Sequence, residues 1–387
     1  MRGGMGLPAR PPRDVRLDLV RGVLQLSIFA KHIGYSLAGG WVIHSNWGFS
    51  DSSELFVFLS GLTLGSVFAL KQARDGWGAA ARDMLGRAWR LYRIHLLVVA
   101  LFAALMLVAC SAGLPDAEKL GWTSILEAPL GALPGVLLML NQPSFMGILP
   151  TFVWGMLLLP GFALLATRFG DAAILVSIGV YLLVQVMGVS LPSLRPGAGL
   201  EFNPLAWQVL FLGGAWLGRR ALLRGQGLAL PAGWARGVDW ACAVFLVGAL
   251  AMRVALLGPD YAPWPAPPFA QPDWINAKAD LPLPALLHAL ALAWLVARIV
   301  PREAVWMRTW LAARVAQIGR HSLEVFCLGL FLAWGADHLL ALSGGALVVD
   351  VAVTLGGAAV LGAYAAWLDG RGKRQGPVVR EQVAMRT

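Results

Sequence analysis

The chain is 387 residues long, 58% hydrophobic and only 13% charged, where a soluble domain carries about 25% charged residues. That balance excludes an ordinary soluble enzyme and predicts an integral membrane protein whose first partner is the lipid bilayer. A net charge of +10 suggests nucleic acid at first sight, but in a membrane chain basic cytoplasmic loops account for it, and no nucleic-acid partner is expected.

In chain order, residues 1–16 form a basic N-terminal segment, 17–368 a single membrane domain, and 369–387 a polar tail expected to be disordered. The first sixteen residues show no cleavable signal peptide, because the apolar run that follows continues as a normal span. Ten segments are long and apolar enough to be helical spans: roughly 17–37, 53–71, 91–110, 148–167, 172–190, 204–219, 239–257, 283–300, 321–341 and 345–368. Segment 124–140 is also apolar but carries Glu127, Pro129 and Pro134, and it reads as re-entrant or interfacial. The expected fold is all-α and polytopic, about ten transmembrane helices around a central polar cavity. With the N-terminus in the cytoplasm, most of the 31 Lys and Arg lie on the cytoplasmic side, against Lys119, Arg195 and Lys278 outside. Both termini are therefore expected inside. Cys110, Cys242 and Cys327 sit in apolar runs, with neither metal-ligand nor disulfide spacing, and no metal is expected. The outer stretch 258–282, with Trp264 and Trp274, is rich in Pro and aromatics.

The first span is too polar for a passive anchor. It carries Asp18, Arg21, Gln25, Lys31 and His32. Arg21 and His32, eleven residues apart, share a helix face about 16 Å apart along the axis. Such a stripe turns to a protein interior or a water-filled cavity. His32, near the outer end, is the first candidate for a general base; the bland reading is a buried histidine satisfied by hydrogen bonds. Asp51 and Glu54 open the second span at the level His32 reaches, where a carboxylate fixes an imidazole. Asp51 reads equally as an N-cap. His44 is the runner-up base.

Arg87, Arg90 and Arg93 wind around a cytoplasmic helix end at R-x-x-R-x-x-R spacing. Arginine suits phosphate, although the positive-inside rule alone also places it there. Arg320, beside His321, has the same ambiguity. Asn203 and Gln208 in FNPLAWQ, and Lys278 before the eighth span, are polar groups on the outer side. Trp41 and Trp47 suit stacking on a sugar ring or, equally, an interfacial aromatic belt.

Six segments in order resemble the OpgC family of succinyltransferases that modify osmoregulated periplasmic glucans, related to the multi-span acyltransferase-3 enzymes. They are RLDLVRGVLQLSIFAKHI, DSSELFVFLSG, RAWRLYRIHLL, FNPLAWQ, NAKADL with LLHALALA, and GRHSLEVF. The resemblance implies a roughly ten-helix enzyme of the inner membrane, acyl-CoA (succinyl-CoA) as donor, and a periplasmic glucan as acceptor. It implies that His32 takes the catalytic place of an R-x10-H motif and Arg21 a donor-side place. Two positions depart from the family pattern: Lys31 precedes the histidine, and Gly34 stands where a proline is expected. Lys31 either meets the free carboxylate of a succinyl group or snorkels to the interface.

The expected reaction is O-acyl transfer with His32 as base, oriented by Asp51 or Glu54, and a ping-pong route through acyl-histidine or another acyl-enzyme fits the sequence equally. Arg21, Arg87, Arg90, Arg93 and Arg320 would hold the donor. Lys31, His44, Asn46, Trp47, Asn203, Gln208 and Lys278 would meet substrate. The alternative is a transporter or flippase without acyl chemistry, which the lack of an internal repeat disfavours.

Overall fold

In the computed structural model every regular element among the described residues is helical. The structure describes residues 14–384 apart from 35, 226, 227, 229, 258–276 and 303, and for 372–384 the backbone alone. Most of the N-terminal segment, Trp264 and Trp274 therefore lie outside the described residues.

Helix α1 (Val15–His32) starts at Asp14, whose carboxylate accepts the Arg16 amide at 3.0 Å, so one orphan N–H of the first turn is satisfied. Helices α2 (Ser52–Asp75) and α3 (Trp77–Ser111) are joined by Gly76 alone, at φ 81°, a conformation glycine adopts without a Cβ clash. The 35 residues of α3 extend on the order of 50 Å, well beyond an apolar core of about 30 Å. Arg87, Arg90 and Arg93 thus sit on the first half of one continuous helix. Short pieces follow: α4 (Asp116–Lys119), α5 (Thr123–Glu127) and α6 (Pro129–Leu137). The apolar stretch 124–140 is broken between Glu127 and Pro129, and Leu130 is 84% exposed.

The remaining helices are α7 (Ile148–Phe169), α8 (Ile174–Met187), α9 (Pro204–Arg224), α10 (Ala232–Ala255), α11 (Leu283–Ile299), α12 (Trp310–Arg320), α13 (Ser322–Leu342) and α14 (Leu347–Ala384). Each of the ten expected segments contains a helix, the first of them ending at His32 rather than at 37. Among the described residues, six stretches are long and apolar enough to cross a membrane: Ser52–Asp75, Trp77–Ser111, Ile148–Met187 (α7, its turn and α8 together), Ala232–Ala255, Ser322–Leu342 and Leu347–Arg371. The protein is polytopic on these alone. One element departs from expectation: helix α12 occupies what read as a basic inner loop. Helix α14 runs to Ala384.

The chain divides into two compact units. The first comprises Glu54–Ala241 and Ala255–Leu290. Its α2 and α9 meet backbone to backbone. A Cβ on Gly61 would lie 2.0 Å from the Phe211 carbonyl oxygen, and one on Gly218 2.0 Å from that of Leu62. Gly65 against Ala215 and Gly214 against Phe58 are as close. Small residues four apart on both helices permit this approach, and the rising order of the contacts makes the two helices parallel. Helix α7 joins them in the same sense, with Gly155 on the Phe211 ring and the Gly147 amide on Glu201. Helix α8 runs back: Asp171, just before it, meets Trp216 and Arg224, and Val189, just after it, accepts from Asn203. Helix α3 also opposes α7, since Trp77 donates to the Pro160 carbonyl at 3.1 Å while Phe102 packs on Phe145.

The second unit comprises Pro12–Ser53, Cys242–Val254 and Ala291–Thr387. Here α1 and α12 are antiparallel and equally close. A Cβ on Gly319 would lie 1.8 Å from the Asp18 carbonyl oxygen, and one on Gly22 2.0 Å from that of Val315. Phe29, Ile33, Ile318, Val325, Ala333 and Leu361 form the core that binds α1 to α12, α13 and α14.

Candidate functional site

In the second unit, α1 holds Arg21 and His32 on one unbroken helix, with His32 as its last residue. Asp18 and Gln25 are buried, and Gln25 is 3% exposed with its Nε2 unmatched by any acceptor among the described residues. A buried amide N–H without an acceptor costs about 1–3 kcal/mol. The polar stripe therefore does turn inward. Its C-terminal end is held by a tight turn: the Ser36 hydroxyl donates to the Ala30 carbonyl at 3.3 Å, and the Leu37 amide donates to the Asp350 carboxylate at 2.6 Å.

Lys31 is exposed, and its ammonium donates to Asn46 Oδ1 at 2.9 Å. Asn46 in turn donates to the Gly39 carbonyl at 2.7 Å. The Trp47 indole donates to the Trp41 carbonyl at 2.7 Å, and the two rings lie 5.8 Å apart. Arg253 pins the same loop through the Gly48 carbonyl at 2.8 Å. Lys31, in the last turn of α1, is thus tied to the loop that carries Asn46 and Trp47.

Asp51 does what an N-cap does: its carboxylate accepts the Ser53 amide at 2.6 Å. Its charge also reaches His44. Burial lowers the His44 pKa, and the Asp51 carboxylate together with a backbone hydrogen bond to Asp51 partly opposes that. A second carboxylate, which the sequence reading did not single out, stands at the end of α1. The Asp337 side chain, from α13, lies 2.7 Å from where a Cβ on Gly34 would be. Glycine at 34 leaves room for it, which gives the missing proline a physical reason. Arg320 and His321, at the junction of α12 and α13, both bind Asp369, at 2.8 Å each.

In the first unit, Glu54 is 4% exposed in the first turn of α2. Arg87, Arg90 and Arg93 are all exposed on α3. Arg87 pairs with Asp83 at 2.8 Å, Lys71 reaches the same carboxylate at 3.3 Å, and Arg93 lies over the Trp89 ring. Asn203 caps α9 through the Leu205 amide and donates to Asp280 at 2.8 Å and to the Val189 carbonyl at 3.0 Å. Gln208 is closed on Ser177 in both directions, at 2.6 and 2.8 Å. The two amides that read as substrate contacts have their polar atoms engaged in holding α8, α9 and the adjoining loops together. Lys278 stacks on Phe202 with its ammonium 5.1 Å from the ring centre.

Near Lys278 stands Glu201, half-buried, with its carboxylate accepting the Gly147 amide at 3.0 Å. Burial raises its pKa, and Lys278, the Gly147 amide and Arg195 offset part of that rise. A carboxyl whose folded pKa exceeds the unfolded value, about 4.3, contributes stability that is complete below that value and is lost as pH rises through the raised pKa. Replacing Glu201 by Gln removes that loss and keeps an acceptor for Gly147. The melting temperature of E201Q is therefore expected to gain on the parent as pH is raised from about 4 to 8. A difference that stays constant over that range would contradict the assignment.

A family model described as OpgC protein matches residues 13–373 of the chain, so the match takes in both units and every helix from α1 to α13. No curated protein matches the chain. The match spans Arg21 and His32 on α1, the loop beyond them and the paired helices of the first unit. The chain belongs to the OpgC family and is a polytopic membrane acyltransferase.

Proposed function

We propose that the protein moves a succinyl group from cytoplasmic acyl-CoA to hydroxyls of a periplasmic glucan. It does so in the bacterial inner membrane, with ten helices crossing the bilayer around a polar cavity and both termini in the cytoplasm. The observation that carries this reading is the match of the OpgC model over residues 13–373, taken with one helix that bears both Arg21 and, as its last residue, His32.

The nucleotide of acyl-CoA does not enter lipid, so its phosphates stay with basic groups on the cytoplasmic side. Arg21, Arg87, Arg90, Arg93 and Arg320 serve that end, since guanidinium pairs bidentately with phosphate. The thioester works at the level of His32. There the imidazole takes the proton of a glucan hydroxyl, the oxygen attacks the acyl carbon, the carbon–sulfur bond breaks, and the proton passes to the departing thiolate. Asp51 or Glu54 supports the charged imidazole. Lys31 meets the free carboxylate of the succinyl group. His44, Asn46 and Trp47 serve the acceptor sugar, and Asn203, Gln208 and Lys278 keep the outer side of the first unit in shape for it. No metal enters this chemistry.

The test is release of CoA thiol by purified protein given succinyl-CoA and glucan. Release that requires both substrates, with succinyl appearing on the glucan, is the expected result. Protein that binds both and releases no thiol would end the proposal.

A further inference from the structure

The arginines singled out in the sequence are exposed along one face of α3. A tighter cluster stands at the end of α9. Asp171, in the turn between α7 and α8, binds Arg220 and also Arg224, the latter at 2.7 Å. The Trp216 indole donates to its other carboxylate oxygen at 3.0 Å and so fixes it, and the Arg220 guanidinium lies 5.7 Å from the Trp216 ring centre. Arg219 stands next to Arg220, and the Arg219 Nε is buried with no hydrogen-bond partner among the described residues.

Positive-inside topology asks for arginines near a helix end but not for their convergence. Here two guanidiniums bind one carboxylate and a third arginine adjoins them in sequence, which leaves positive charge in excess. Asp171 acts as a template that holds the forks close, and the inward Arg219 N–H needs an acceptor. A tetrahedral oxyanion supplies both the charge and the acceptor oxygens. A carboxylate supplies fewer oxygens than three forks can use.

We infer that Arg219, Arg220 and Arg224, templated by Asp171 and Trp216, form a binding site for a phosphoryl group at the basic end of the first unit. Two sources share that chemistry: the phosphates of a CoA donor and the headgroup of an anionic phospholipid. The first deepens, and rests on, the acyl-transfer proposal; the second does not.

Binding without turnover tests it. Free CoA and short-chain phosphatidylglycerol are titrated separately onto the full chain in neutral detergent over a salt series. The parent protein is compared with R219Q/R224Q. Asp171, Trp216 and Arg220 stay intact in the variant, and its thermal unfolding is checked first. One probe is expected to lose about 10- to 100-fold in affinity and to show a shallower salt dependence. The probe that responds identifies the source. If the double variant does not fold, R224Q alone, whose side chain is 53% exposed, is expected to show a smaller loss of the same sign. Unchanged affinity for both probes in a folded variant would overturn the site. Because no acyl transfer is read, failure here is separate from failure of the thiol-release test.

Discussion

Replacing His32 by alanine is expected to lower acyl transfer by about 10²- to 10⁴-fold, equivalent to about 3–5 kcal/mol of barrier. Folding should survive the change. His32 is the last residue of α1 and only half-buried, and the contacts that seat the helix are made by Phe29, Ile33 and Gly22. The decisive comparison sets H32A beside H44A, with melting temperature and CoA binding measured on both. Loss of transfer in H32A with CoA binding retained assigns the proton step to His32. Full activity in a folded H32A would remove it and promote His44, which already has Asp51 beside it. A D337N variant refines the result: if the carboxylate over Gly34 orients the histidine, its removal shifts the pH profile of transfer rather than the KM for either substrate.

The second large effect is structural. Gly319→Ala is expected to destabilise the protein by about 1–3 kcal/mol or more, although alanine alone improves a helix interior by about 1 kcal/mol over glycine. The new methyl would sit 1.8 Å from the Asp18 carbonyl oxygen and 2.7 Å from the Gly22 nitrogen. Carbon and oxygen need roughly 3.3 Å, and both obstacles are backbone, which no rotamer change clears. The helices must part, and the stripe that carries Arg21 moves with α1. Gly335→Ala is the control, because a Cβ there meets nothing within 4 Å; it should leave the melting temperature unchanged or raise it. Equal behaviour of the two variants would show that α1 and α12 are not in backbone contact.

Much of the helical scaffold was legible because six stretches are long and apolar enough to cross a membrane, a property that composition alone displays. The inward turn of the α1 stripe was legible too, since Asp18 and Gln25 cannot face lipid. Helix α12 was not. Its eleven residues are amphipathic and carry Arg314 and Arg320, so by charge they read as an inner loop. Only Gly22 and Gly319 hint at a partner, and a glycine names no partner until the chain is folded. Asn203 and Gln208 show what the pattern leaves open. A polar residue in an apolar run signals a satisfied interior group, yet the pattern does not say whether substrate or backbone satisfies it. In the fold it is the Val189, Leu205 and Ser177 backbone, with the Asp280 and Ser177 side chains. Asp337 was hidden inside an apolar helix and became visible only through the room that Gly34 leaves.

The glycine contact between α2 and α9 also carries a parity rule. Two neighbouring helices that run in the same sense must be separated along the chain by an odd number of traverses of the bundle. Helices α3, α7 and α8 supply that odd number, going back, forward and back. Residues 112–147, between α3 and α7, are therefore left with no net traverse: they must leave and rejoin the bundle at the same end. The broken stretch around Pro129 therefore lies in a connection that begins and ends on one side of the bundle, and a glycine seam far from it in sequence requires this.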